Sequence, residues 1–415
     1  MAYNRPPNEP HWAGARHHLR TVELPRTADV AVIGGGLVGV CTALALAEAG
    51  RRPVVIEAER LAARASGRNG GLLIPCAPES FTELTARWGR DRALAIQRAY
   101  DAGGRQLVRW IDEHDLECQW RPEGALRAAA STPEAATMAA ETIELVMAGL
   151  EAAWVELPDL EPWLPGLPDR TNGSSPLAGA QVLAHGGAFH SGLLVTGLAK
   201  RALDLGAALV EEEPVVAVEE DRDGATVRTR RGQVSADAIV IATNVELATL
   251  LPELGARVTP VRGQVMATEP LSPGLMRGAW SVNEGYEYAQ QLSDGTVVAG
   301  GMRWTAPDRE VGINEAAVNP QIQERIDEWL ASLLSRDVPV ARRWAGIMAF
   351  TDDRLPFVGR VPETERFLVA AAFNGHGVPA APMAATLVRA LANGGDPGEV
   401  AGALAPGRLA QSAPS

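Results

Sequence analysis

Gly34, Gly36 and Gly39 stand at G-x-G-x-x-G spacing directly after the apolar run Asp29-Val30-Ala31-Val32-Ile33, and Glu57 follows further along the chain. Glycines so placed allow a tight turn, close approach of backbone to a pyrophosphate, and close packing of helix on strand. The N–H groups at Leu37 and Val38 then face the phosphates from a helix start. A carboxylate at Glu57, with Ala58 beside it, can accept hydrogen bonds from both hydroxyls of a ribose. The chemistry indicated is dinucleotide binding; the plainer alternative is a strand-to-helix turn with no ligand. The motif alone does not separate NAD from FAD, but its surroundings do. The loop Arg64-Ala65-Ser66-Gly67-Arg68-Asn69-Gly70-Gly71-Leu72 is rich in backbone donors and small residues. It suits a second phosphate or a flat ring, unless it is only a mobile surface loop. Asp353-Arg354-Leu355-Pro356-Phe357-Val358-Gly359 and Asn374-Gly375-His376-Gly377-Val378 follow near the end of the chain.

The elements that must position these residues are legible in outline. Asp29–Ile33 and Pro53–Glu57 read as strands, with a helix from Leu37 to Ala49 stopped by Gly50. That is a βαβ unit and implies a parallel sheet. Residues 81–116 and 132–154 read as long helices, and Pro158, Pro162, Pro165 and Pro168 punctuate a loop after them. A helix over 191–205, strands at 215–219 and 225–229, and a strand from Val234 to Ala242 come next. Residues 258–304 read as a run of antiparallel strands, 319–334 as a helix, Phe367–Ala371 as a strand, and Pro379–Leu391 as a helix. The tail beyond 400 reads as loose. The expected class is α/β. A Rossmann-like dinucleotide-binding domain (28–80, 165–258 and 335–400) interleaves with an α+β domain on an antiparallel sheet (81–164 and 259–334). Residues 1–27 are a lead-in and 401–415 a tail.

The chain has 415 residues, enough for two or three domains. Its net charge of −13 argues against nucleic acid as a partner. Lys200 is the only lysine, so lysine chemistry has one candidate. Cys41, Cys76 and Cys118 are too scattered for a disulfide framework or a zinc ribbon, and no His/Cys cluster suggests a metal. Cys76 reads as a small buried filler, and Glu211-Glu212-Glu213 as a solvated charge run. No apolar stretch is long enough to span a membrane and the start lacks a signal-peptide run, so a cytoplasmic protein is expected.

Taken together these motifs resemble the D-amino-acid oxidase superfamily of FAD-dependent amine oxidoreductases. The matching elements are the glycine turn with Glu57, the SGRNGG loop, Glu213-Pro214-Val215, the strand end Ala242-Thr243-Asn244, D-x-x-P-x-x-G and NGHG, in the family's order. ASGRNGG and WAGIMAFTDDRLPFVG resemble the γ-glutamylputrescine oxidoreductase branch. The resemblance implies non-covalent FAD held by the glycine turn, Glu57 and Ala58, the 64–72 loop, Val215, Ala242, Thr243 and Asn244. It also implies Gly375, His376, Gly377 and Val378 beneath the flavin, where N–H groups at a helix start stabilise negative charge. His376 would add a donor or a positive charge there, or else only cap a carbonyl.

The same resemblance makes the strand-rich insertion the other wall of the site. Tyr286 and Tyr288, two apart, would share a strand face and hold an amine or carboxylate, or pack across the sheet. Arg303 would hold an acidic group or lie on the surface; Phe350 would wall in the ring, and Trp344 fits core better. Amino-acid oxidases of the superfamily carry a carboxylate-binding arginine where this chain has Met348. Losing that bidentate anchor disfavours simple α-amino acids. No cysteine lies near Met348 to bond the flavin, and the strand near Val297–Ala299 lacks the lysine that sarcosine oxidases use with oxygen. The expected activity is oxidation of a C–N bond of a small amine or amino-acid derivative by hydride transfer to flavin N5, giving an imine that hydrolyses. Oxygen or another acceptor takes the electrons, and the oligomeric state is open. The alternatives are an amino-acid dehydrogenase anchored by Arg68 or Arg303, and a flavin-binding subunit without turnover.

Overall fold

Five strands form the parallel heart of the first sheet in the computed structural model, which describes residues 8–14, 16–165 and 177–410. Their order is Phe367–Ala371, Gln233–Ile241, Thr27–Ile33, Pro53–Ile56, Ala208–Val210. Phe357–Arg360 adds antiparallel at one edge, and Val215–Glu220 and Ala225–Thr229 form an antiparallel appendage on Gln233–Ile241. Pro53–Ile56 and Phe367–Ala371 are buried along their whole length, and Thr27–Ile33 and Gln233–Ile241 are buried toward their C-terminal ends. Leu37–Glu48, Arg90–Glu113, Ser191–Asp204 and Gly377–Ala392 share one core with Val30 and Val32. The opening helix ends where Gly50 takes φ 78, a conformation open to glycine without cost.

The second sheet runs Val340–Thr351, Val258–Thr268, Val297–Gly301, Glu287–Gln291, Ala279–Val282, Ala125–Ala128, Ala180–Leu183, Ala152–Val155. Every pairing is antiparallel except Ala279–Val282 with Ala125–Ala128. Pro320–Leu334 buries Ile322, Ile326 and Leu330 against Trp280, Ala289 and Val297. Pro320 opens that helix, and the Asn319 side chain accepts from the Gln321 N–H.

The structure corrects several expectations. Residues 81–116 hold two helices, Phe81–Trp88 and Arg90–Glu113, split at Gly89 (φ 79). The helix expected over 132–154 stops at Met147, and Ala152–Val155 is an edge strand beyond Gly149 (φ 86). Ala180–Leu183 and Val340–Thr351 pair into the second sheet, so the expected boundaries at 165–258 and 335–400 shift. Which sheet a strand joins depends on distant partners, which an apolar run does not reveal. The tail is anchored: Arg408 pairs with Asp353 at 2.7 Å, both largely buried. In the lead-in Trp12 is buried. Glu213 is also buried and bound by Arg231, while Glu211 accepts from the Leu61 N–H, so the acidic run is not simply solvated. Pro168, residues 1–7 of the lead-in and 411–415 of the tail lie outside the described residues.

Candidate active site

The glycine turn leaves Ile33 and enters the opening helix with no room for side chains. A Cβ on Gly39 would collide with the Gly34 carbonyl, and one on Gly34 would meet the Ala242 carbonyl at 2.7 Å. Gly36 supplies no side-chain cap; the Leu37 N–H donates instead to Ser66 Oγ at 2.8 Å. Glu57 Oε2 accepts from the Gly35 N–H (2.6 Å) and Oε1 from the Glu59 N–H (2.8 Å). Burial raises the Glu57 pKa against those two hydrogen bonds. Thr243 Oγ1 is buried with no protein partner, next to the Ala242 carbonyl that closes on Gly34. Bare backbone, a helix start, a strand-end carboxylate and an orphaned hydroxyl together fit the adenosine and pyrophosphate end of FAD. Val38 lies in the first turn of that helix, Ala58 just past Glu57, and Asn244 takes φ 51 and accepts from the Ala372 N–H. Val215 begins the appendage strand.

The 64–72 loop is held on all sides. Asn69 Oδ1 accepts from the Gly71 N–H (2.8 Å) and Ser191 Oγ (2.6 Å), and Trp12 Nε1 donates to the Asn69 carbonyl. Gln290 Nε2 donates to the carbonyls of Gly70 and Gly71, and Trp344 Nε1 to that of Arg68. Sequence reasoning missed Trp12 and Gln290; that Gln290 falls on the same strand face as Tyr288 was the available signal. Leu72 leads into the short strand Leu72–Leu73. Arg68 is a structural clamp: its guanidinium donates to the carbonyls of Ala345 and Asn8. That removes Arg68 as a replacement substrate anchor. Arg64 is spent at the surface on Glu59 (2.6 Å).

The NGHG turn is fastened to the strand that carries Met348. Asn374 Oδ1 accepts from the Thr351 N–H (2.9 Å), Nδ2 donates to the Ala372 carbonyl (2.9 Å), and the Asn374 N–H donates to the Ala349 carbonyl. Asn374 (φ 53) and Gly375 (φ 82) are both left-handed. A Cβ on Gly375 would lie 3.4 Å from Met348 Sδ and 3.9 Å from Phe350 Cζ. Met348 and Phe350 therefore face the turn. His376 precedes the helix Gly377–Ala392, which also holds Val378, and makes no side-chain cap. Burial outweighs the Asn374 carbonyl and pushes the His376 pKa down to about 4. Near neutral pH the ring is uncharged, so the expected positive charge is not available.

The opposite wall corrects the tyrosine expectation. Tyr286 precedes the strand Glu287–Gln291 and has helical dihedrals (φ −72, ψ −22), so alternation does not apply to it. The Tyr288 ring fills the space over Gly70 and Gly300, where added Cβ atoms would meet it at 2.7 and 2.5 Å. Burial raises its pKa. Tyr286 instead lies under Arg303, whose guanidinium carbon is 4.7 Å from the ring centroid. Arg303 is half-buried rather than superficial, and burial lowers its pKa. Trp344 is core, as expected. Glu287, also missed, is buried and accepts from Trp304 Nε1; burial pushes its pKa up to about 7 against hydrogen bonds from Trp304 and Asn283. The three cysteines are buried, and Cys76 packs with Leu72 and Ile74 as filler. Lys200 lines a surface depression with His114 and Asp204 that shares none of these residues.

Comparison with known proteins shows the family of the chain. The family profile described as "FAD dependent oxidoreductase" (DAO) matches residues 29–391. The chain is 31% identical over 377 residues to the γ-glutamylputrescine oxidoreductase of Escherichia coli, covering 89% of this chain and 84% of that one. It is 25% identical to glycine oxidase of Bacillus licheniformis, covering 85% and 90%. In fold it superposes on the crystal structure of glycine oxidase from Geobacillus kaustophilus with TM-score 0.76 at 21% identity, over 92% and 99% of the chains. L-Proline dehydrogenase from P. horikoshii gives TM-score 0.78 at 20% identity, over 94% and 99%. Among the described residues no helix is long and apolar enough to cross a membrane, and no His/Cys/Asp/Glu group has the makings of a metal site.

Proposed function

Since the chain belongs to the DAO family of FAD-dependent oxidoreductases, we propose that it oxidises the C–N bond of a small amine, or of an amino-acid derivative whose carboxylate is not on the oxidised carbon. The product is an imine that water splits to a carbonyl compound and an amine. FAD, held non-covalently, supplies the acceptor for the hydride that leaves the amine's α-carbon. The chain's own work is orientation and charge placement. The uncapped start of Gly377–Ala392, with Gly375 and neutral His376 before it, offers donors to negative charge at the cofactor's edge. The ring of Tyr288, half-buried against Gly70 and Gly300, supports an apolar wall.

One observation carries the substrate reading. Met348 Sδ stands 3.4 Å from the Cβ position of Gly375, at the mouth of the turn, and a thioether cannot pair with an α-carboxylate. The test is anaerobic mixing of FAD-loaded protein with amines and α-amino acids, followed by air. Bleaching by N-alkyl or acylated diamines, with simple α-amino acids about tenfold weaker or worse, is the expected result. Equal bleaching by glycine or alanine overturns it. The rate at which colour returns in air separates oxygen from another electron acceptor.

A further inference from the structure

Residues 8–14 precede every strand in the chain, yet they are built into the 64–72 loop. Trp12 is 1% exposed and packs among Val265, Val298 and Trp344, from three strands of the second sheet. The His190 ring stands 4.8 Å from its own. The indole N–H donates to the Asn69 carbonyl at 2.8 Å, and a Cβ on Gly71 would lie 3.3 Å from the same indole. Asn8 takes φ 73, which asparagine tolerates better than most residues. Its Oδ1 accepts from the Ala345 N–H and from Arg68 Nη2, both at 2.8 Å, and its carbonyl accepts from Arg68 Nη2 at 2.8 Å. Its Nδ2 donates to the Ala316 carbonyl. The Pro10 carbonyl accepts from Arg342 Nη1 at 3.3 Å.

Arg68 shows what these contacts carry. Burial lowers its pKa, and its three acceptors are neutral: the Ala345 carbonyl and two oxygens of Asn8. A half-buried charge held in this way depends on each of them in place of water. The near end of the loop rests on the glycine turn. Ser66 Oγ accepts from the Leu37 N–H at 2.8 Å, and a Cβ on Gly36 would meet that oxygen at 2.9 Å. Only Gly67 separates Ser66 from Arg68. The lead-in is therefore coupled, through a few residues of loop, to the helix start that fits a pyrophosphate.

We propose that Asn8 and Trp12 are positioning residues for the cofactor: they clasp the 64–72 loop over the glycine turn and so set how long FAD stays bound. Both act through the loop. This rests on the assignment of that loop to FAD and is independent of which amine is oxidised. Gln290 and Trp344 hold the carbonyls of Gly70, Gly71 and Arg68 from the second sheet. Cutting the lead-in's contacts thus loosens the loop without releasing it altogether.

The test is the rate at which FAD leaves the loaded protein, followed as the rise in flavin fluorescence after high dilution. Trp12→Phe keeps a ring among the same neighbours and removes the indole N–H. Asn8→Gly keeps the left-handed backbone and removes the side chain. Each should release FAD about tenfold faster than the parent, the effect of a buried group left without its partner. Melting temperatures with and without FAD read folding separately, and the gap between them should narrow in both variants. Asn69→Ala is the control on the loop itself, since it removes the acceptor for the Gly71 N–H and Ser191 Oγ without touching the lead-in. Faster release from Asn69→Ala with parent-like release from both lead-in variants overturns the clasp and leaves the loop's assignment standing. Parent-like release from all three overturns both. Melting temperatures that fall equally with and without FAD, at parent-like release, make Asn8 and Trp12 packing residues only and overturn the clasp as well.

Discussion

At the scale of single residues, chemistry here is set by what each side chain is buried against. His376 is neutral because burial disfavours its charged form, so any help it gives at the turn is as a hydrogen-bonding ring. Glu287 shows the same effect with opposite consequence. The residue is 3% exposed and its pKa is raised from 4.5 to about 7. The folded state therefore binds a proton that the unfolded state has released across that interval. Stability falls as pH rises from about 4.5 to about 7 and is level above, a loss of roughly 3 kcal/mol. Glu287→Gln keeps an acceptor for Trp304 Nε1–H and removes the charge. Denaturant titrations across that range should show a flatter profile and a variant more stable than its parent at pH 8. An unchanged slope would assign the pH dependence to other groups.

At the scale of elements, the site depends on how one strand is tied to one turn. Val340–Thr351 pairs with Val258–Thr268 along most of its length, which sets Met348 opposite Val261. Asn374 then ties Thr351 and Ala349 to the turn that starts Gly377–Ala392. Asn374→Ala leaves the Thr351 N–H and the Ala372 carbonyl without their partner and places alanine at φ 53. A loss of about 2–4 kcal/mol follows, together with slower flavin reduction at saturating amine. Thermal unfolding and rapid-mixing reduction measure the two separately. A reduction rate equal to the parent's would make Asn374 purely architectural.

At the scale of the whole molecule, the C-terminal segment closes back on the fold. Arg408 donates to both oxygens of Asp353 and to the carbonyls of Leu355 and Pro356, and lies over the Phe357 ring. Burial would raise the Asp353 pKa, but the Arg408 guanidinium holds it below the usual carboxylate value. Arg408→Met strands a buried carboxylate and should cost about 3–5 kcal/mol in chemical unfolding. Adding Asp353→Asn should recover part of that loss; no recovery would place the cost in packing on Phe357.

The local code was sufficient for the geometry of the glycine turn. A glycine turn, a strand on either side and Glu57 all lie within one short stretch of chain, and their geometry follows from spacing, helix dipole and the absence of Cβ atoms. Family membership followed from the order of such stretches. The substrate end was not legible in the same way. Tyr286 and Tyr288 look equivalent by alternation, yet only Tyr288 lies in the strand. Arg68, Arg303 and Arg354 are alike in type. Tertiary structure spends the first on Ala345 and Asn8 and leaves the other two facing Phe350. The physical reason is that the charge and access of a side chain depend on partners brought together from distant parts of the chain, and no local spacing encodes those partners.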